Sequence, residues 1–259
     1  MSQKQQMIIS SGDQLLQLTT RRRFLGLLGV AGAVVMLPSV FTACNDDNGT
    51  GPNSNNFRLD LSNDIGILNY AYALEQLEAK FYTAALASAG FNALSNDEKE
   101  VVADVQKHEV IHREFLRQVL GNAAIPDIAF TAATVASLIS TDVKLLSNSQ
   151  LLEDTGVSAY NGAGKYLVSP AYLLVAGKIV SVEARHAAAF RDMRDIRAGN
   201  TGRMFAGDDV VNPQGLDVKA EPSTVLAAVV SLNVVSSPLS IGTGPKGTPT
   251  ADMPAPTPA

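Results

Sequence analysis

Residues 106–116, QKHEVIHREFL, contain His108-Glu109-Val110-Ile111-His112, and residues 183–186 read Glu183-Ala184-Arg185-His186. The first run carries two patterns at once. As H-E-x-x-H it is the arrangement in which two histidines one helical turn apart hold zinc and the glutamate serves as general base. As E-x-x-H it has a second copy downstream, Glu109 with His112 and Glu183 with His186. Residues three apart share one helix face, so each pair can present a carboxylate and an imidazole to one metal position. The chain has three His and nine Glu, so a Glu three places before a given His is roughly a 3–4% coincidence by composition. Two of the three His have one.

The elements that must carry these pairs read as helices. Residues 62–89 place Leu68, Ala71, Glu75, Glu78, Tyr82 and Ala85 on one stripe at alternating three and four spacing, with Gly90 as a stop. Ser95 and Glu98 form a capping-box pattern that opens a second helix, whose stripe is Val102, Val105, Glu109, His112, Leu116 and Val119 and whose end is Gly121. Residues 122–143 form a long connection. A third helix over about 144–167 carries Glu153, Gly156, Tyr160, Ala163 and Leu167, with Gly156, Gly162 and Gly164 weakening its continuity. Ser169-Pro170 starts a fourth, by N-cap and first-turn proline. Its stripe is Ala176, Ile179, Glu183, His186, Phe190 and Met193. The expected fold is all-α: a four-helix bundle with one long crossover between helices 2 and 3.

Both E-x-x-H pairs lie on apolar stripes, where an unpaired charge is costly. The other two helices offer matching carboxylates. Glu75 precedes Tyr82 by seven residues and Glu153 precedes Tyr160 by seven, so each Tyr lies two turns along the same face. Tyr82 and Tyr160 are the candidate catalytic phenols, each able to donate to a liganding carboxylate on its own helix or across the bundle. Glu78 shares the stripe of Glu75 and is the alternative first-helix ligand; the Tyr spacing favours Glu75. Four carboxylates in one core repel one another, and two divalent ions would neutralise them. The mixed nitrogen and oxygen set suits iron or manganese. A zinc metalloprotease is a remote alternative, because HREFLRQ lacks a metzincin-type glycine and third His, and that reading leaves Glu183 and His186 unexplained. Core histidines held by salt bridges, without metal, are the plainest alternative.

The segments ILNYAYALEQLEAKFY, HEVIHREFL, LLEDTGVSAYNGAG and EARHAAAFR resemble the ferritin-like superfamily, and most closely the exported bacterial ferritin-like domain proteins related to plant desiccation-related proteins. The resemblance covers roughly residues 60–200. It implies that Glu109 and Glu183 bridge two metals, that His112 and His186 bind one metal each, and that Glu75 and Glu153 are terminal ligands. It also implies two Fe or Mn ions as cofactors, with Fe(II) oxidation or the reduction of peroxide or oxygen as the activity. A non-catalytic structural or stress (desiccation)-related binding protein is the alternative.

The N-terminus reads as a targeting segment. Arg21, Arg22 and Arg23 precede an apolar run of 14 residues, 24–37, too short and glycine-rich to span a membrane comfortably. Thr20-Arg21-Arg22-Arg23-Phe24-Leu25 looks like a twin-arginine signal, and FTAC resembles a lipobox with Cys44, the one cysteine, as the lipidated residue. An uncleaved membrane anchor is the alternative. The expected organisation is a signal peptide over 1–43, a tether over 44–59, the helical domain over 60–200, a covering segment over 201–240 and a low-complexity tail over 241–259. Without residues 1–43 the chain keeps 16 basic and 24 acidic side chains, a net charge of −8. With no basic patch, that argues against nucleic acid. The expected location is the periplasm or cell envelope, membrane-attached through Cys44; a homodimer is compatible with the fold.

Overall fold

A computed structural model describes residues 57–200, 204–205, 207, 209–236 and 239–246. The twin-arginine segment, Cys44 and most of the expected tether lie outside them. The element order is β1 (Phe57–Asp60), α1 (Asp64–Ala85), α2 (Ala89–Asn92), α3 (Asn96–Leu120), a 3-10 turn (Gly121–Ala123), α4 (Ala132–Leu138), α5 (Asp142–Gly164), α6 (Pro170–Arg197), α7 (Pro222–Ser231) and β2 (Leu239–Thr243). The long helices α1, α3, α5 and α6 are the four expected from the sequence. Helix α1 packs chiefly on α3, and α5 on α6. Among the described residues no helix is long and apolar enough to cross a membrane.

The helix starts follow local chemistry. Asn63 caps α1 by accepting from Gly66 N at 3.0 Å. The capping box of α3 is formed: Glu98 N donates to Ser95 Oγ at 3.3 Å, and Ser95 N donates to Glu98 Oε2 at 2.8 Å. Ser169 stands at the N-cap of α6 but makes no capping bond with its side chain. The cap comes from across the bundle instead, where the Asp64 carboxylate accepts from Val168 N and Ser169 N, both at 2.8 Å. One acidic group thereby satisfies two orphan donors and sits at the positive end of the α6 dipole.

The crossover, 121–141, is stitched to α1. Asn69 accepts from Ile125 N at 2.8 Å and donates to Ala123 O at 2.8 Å, while Gln76 accepts from Ile128 N at 2.7 Å. These two buried amides, seven residues apart, give the connection backbone partners it would otherwise lack. Gly90 belongs to α2 rather than ending α1. A Cβ there would lie 2.5 Å from Ile139 O and 2.6 Å from Thr141 O, so glycine is required by the close approach of the crossover.

Two features depart from the sequence reading, and a third adds to it. Helix α5 runs unbroken through its glycines. A Cβ on Gly162 would fall 1.8 Å from Ala220 O, so this glycine lets the segment before α7 dock on α5, where Ala220 N donates to Ser158 O at 2.9 Å. The chain also contains strands: β1 pairs in parallel with β2, Phe57 opposite Leu239 and Leu59 opposite Ile241. Regular structure therefore begins inside the segment read as tether and extends into the segment read as tail. Finally, Arg191 of α6, 2% exposed, forms forked ion pairs with Asp154 (2.9 and 2.7 Å) and Asp209 (2.6 and 3.1 Å), which fastens the segment after α6 to the bundle.

Candidate metal centre

All four long helices turn their stripe residues to one buried point. Glu75 (α1), Glu109 (α3), Glu153 (α5) and Glu183 (α6) are each 0% exposed, and His186 is 5% exposed. His112 is partly buried. Two overlapping groups form there. Glu75, Glu109, His112 and Glu183 offer one ligand atom each within 4.8 Å of one another, and so do Glu109, Glu153, Glu183 and His186. Glu109 and Glu183 belong to both.

The imidazoles aim one nitrogen each into these groups. His112 Nδ1 lies 2.9 Å from Glu183 Oε1, 3.3 Å from Glu109 Oε2 and 3.5 Å from Glu75 Oε2. His186 Nδ1 lies 2.9 Å from Glu109 Oε1, 3.2 Å from Glu153 Oε2 and 3.9 Å from Glu183 Oε2. One ring nitrogen carries at most one proton and cannot serve three carboxylates. Glu75 Oε2, Glu109 Oε1 and both oxygens of Glu183 are accordingly buried without a hydrogen bond of good geometry. Buried acceptors left over in this way are costly, and cations among them would satisfy them. The residues present therefore fit bound metal.

The two tyrosines cross over. Tyr82 OH on α1 donates to Glu153 Oε1 at 2.5 Å, and Tyr160 OH on α5 donates to Glu75 Oε1 at 2.5 Å. Each half of the bundle thus holds the outer carboxylate of the other. Burial and the neighbouring carboxylate push both phenols well above their ordinary range, which keeps them as donors.

Without metal the charges sort unevenly. Burial, then the nearby Glu153, raises Glu109 to about 7. Burial and the charges of Glu109 and Glu75 hold Glu183 well above the carboxylate range. Burial also opposes ionisation of Glu75, but the adjacent His112 outweighs it and lowers this carboxyl. Burial disfavours charge on His186 too, yet hydrogen bonding to Glu109 and Glu153 lifts it to about 10.

His108 and Glu78 lie beside the candidate ligands rather than among them. His108 Nδ1 is 2.9 Å from His186 Nε2, and the two rings stack at 5.1 Å and 9°. The zinc-protease arrangement is thereby corrected: His112 faces Glu75, Glu109 and Glu183, whereas His108 faces the outer nitrogen of His186 and joins neither ligand group. Glu78 is 3% exposed and also outside both groups. Burial, then the charges of Glu183 and Glu153, raise it well above the carboxylate range. Gly156 makes room for it, since a Cβ there would lie 3.1 Å from Glu78 Oε1 and 3.5 Å from Glu183 Oε2.

The ferritin-like domain family matches residues 63–195, more than half of the chain and all four long helices. This chain belongs to the ferritin-like domain family. No curated protein matches it in sequence. Within a ferritin-like bundle, two carboxylates and two Glu-x-x-His pairs projecting inward are the expected equipment of a carboxylate metal site.

Proposed function

We propose that this ferritin-like protein holds two divalent ions, iron or manganese, and uses them to oxidise Fe(II) or to reduce peroxide or oxygen. The observation that carries this reading is the overlap of the two four-residue groups in Glu109 and Glu183. Shared carboxylates between two mixed nitrogen and oxygen sets suit a pair of ions, and four carboxylates balance two double charges. Glu75 and His112 would complete one position, and Glu153 and His186 the other. A bound pair of this type supplies one-electron redox chemistry to a small oxidant.

The protein's own part is positional. The Tyr160 and Tyr82 phenols hold Glu75 and Glu153 in place, and His108 fixes the ring of His186 through its outer nitrogen. Phe190, fully buried, stacks on Tyr82 at 5.8 Å and puts an apolar ring beside that phenol. The test is consumption of Fe(II) with oxygen, or of peroxide, by metal-loaded chain. Turnover well above that of the free ion supports the reading. Metal uptake without turnover leaves a structural or stress-related binding protein, in which the ions stiffen the folded state. We further propose export and membrane attachment through Cys44, supported by the arginine cluster and the solitary cysteine. Cys44→Ala should release the chain from the membrane fraction, and a variant that stays membrane-bound with its N-terminus intact would favour the uncleaved anchor.

A further inference from the structure

Beside the ligand cluster lies a cavity of about 240 Å³ between α1, α5 and α7. Its walls are aliphatic, with Leu74, Leu77, Leu152, Val229 and Leu232 among them. It meets the surface at Leu151, Ala228 and Ser231, all exposed. Two of its polar side chains are already spent. Thr155 Oγ1 donates to Leu151 O at 2.6 Å, and Ser231 Oγ donates to Ala228 O at 2.7 Å. Glu78, which also lines the cavity, has no hydrogen-bond or ion-pair partner among the described residues. At this inner end the cavity is lined by Gly156 of α5 and Glu78 of α1. Glu78 Oε1 and Glu183 Oε2 would lie 3.1 and 3.5 Å from a Cβ on Gly156, so the carboxyl of the cavity and a carboxyl of the ligand cluster border the same gap.

The lining decides what fits. A hydrated divalent ion would have to shed water against leucine walls for a single carboxylate, a poor exchange for a hard cation. An anion would enter toward five gathered carboxyl groups. Dioxygen or peroxide needs far less room. A molecule with an apolar body and one hydrogen-bonding group matches both the walls and the lone partnerless carboxyl. We propose that this cavity is a substrate port of the metal centre and takes a small, neutral, largely apolar organic molecule whose single hydroxyl hydrogen-bonds Glu78. As a port, it rests on the dimetal reading above.

The test uses the full chain loaded with Mn(II), with 4-methylphenol as probe and toluene as its hydroxyl-free match, followed by ligand NMR. The expected result is saturable binding of 4-methylphenol, with its ring protons broadened by the paramagnetic ions, and at least fivefold weaker binding of toluene. Ala228→Trp and Leu151→Trp plug the mouth from opposite helices without touching a ligand. Each should weaken 4-methylphenol binding at least tenfold at unchanged Mn(II) content, and if one misfolds the other still decides. No saturable binding to a chain that has taken up two Mn(II) overturns the port alone, as does binding that ignores a folded Trp variant. Equal binding of toluene overturns the role of Glu78. Mouth-dependent binding to a chain that takes up no Mn(II) overturns the dimetal reading, and the port with it.

Discussion

In the first half of the bundle, Glu75 and Tyr82 lie seven residues apart on α1, and Glu109 and His112 three apart on α3. In the second half, Glu153 and Tyr160 have the same spacing on α5, and Glu183 and His186 on α6. Counting from these residues, two of the differences between the halves fall beside the candidate ligands. Three after the first Glu stands Glu78 in one half and Gly156 in the other; one before the E-x-x-H stands His108 in one and Val182 in the other. The matching positions gather into the two ligand groups and their Tyr hydrogen bonds. The unmatched ones sit beside the ligands: His108 behind His186, and Glu78 against Gly156 at the cavity. Repetition thus marks what would hold the ions, and these two departures from it stand beside them.

The comparison is broken most sharply at the ligands. Glu109→Ala and Glu183→Ala should each impair both metal positions, whereas Glu75→Ala and Glu153→Ala should each spare one, with Glu75→Ala at least as damaging as Glu153→Ala. Metal content per chain after equilibrium dialysis measures this. If the shared and unshared glutamates lose metal alike, the two-position account fails.

Tyr82→Phe and Tyr160→Phe should lower metal affinity by roughly 10–100-fold, and by similar amounts, because each strips a buried carboxylate of its donor. Titration of both variants with Mn(II) checks it; a large effect in one only would end the equivalence of the halves.

Loading should also respond to pH, because the ligands must shed protons. In the metal-free chain Glu109 is raised from 4.5 to about 7, so the stability it contributes is present at low pH and lost as pH rises through that window. His186 is raised from 6.5 to about 10, and its contribution is lost on the way to the higher value. Metal-free stability therefore declines while metal affinity climbs. The gap in Tm between loaded and metal-free chain should widen from about pH 6 to about pH 8. A gap that narrows contradicts the proton linkage.

The unmatched residues should matter less. His108→Ala should weaken metal binding roughly 3–10-fold, since His108 supports the candidate ligand His186 from an exposed position. Glu78→Gln should change affinity by no more than about twofold, because Glu78 lies outside both ligand groups. Competitive metal titrations of the two variants resolve effects of this size. If Glu78→Gln empties the site while Glu75→Ala does not, the stripe through Leu74, Glu78 and Phe81 faces the metals instead.

Much of this geometry was legible in the chain because each candidate ligand lies on an apolar stripe, where helical period alone fixes its face. The capping box at Ser95 and the proline at 170 marked helix starts for equally local reasons. What was hidden depends on partners distant in sequence. Spacing placed Tyr82 and Tyr160 toward the carboxylates, but only the packing of α1 near α5 decides that each serves the opposite half. Gly156 and Gly162 read as helix weakeners, because propensity does not register the carboxyl or carbonyl that approaches them. Asn69 and Gln76 lie seven residues apart on one face of an apolar helix, but the crossover backbone they tie is fixed only by packing. Strands of four and five residues, paired across the whole bundle, carry too little periodicity to be seen.

The central claim is two metal positions sharing Glu109 and Glu183, and its most direct test is anaerobic equilibrium titration of the metal-free chain with Fe(II) and Mn(II). The account predicts uptake of two ions per chain, falling toward none in Glu109→Ala and Glu183→Ala. A fully folded chain that takes up neither ion would contradict it, and would leave the buried glutamates and histidines as a salt-bridged core.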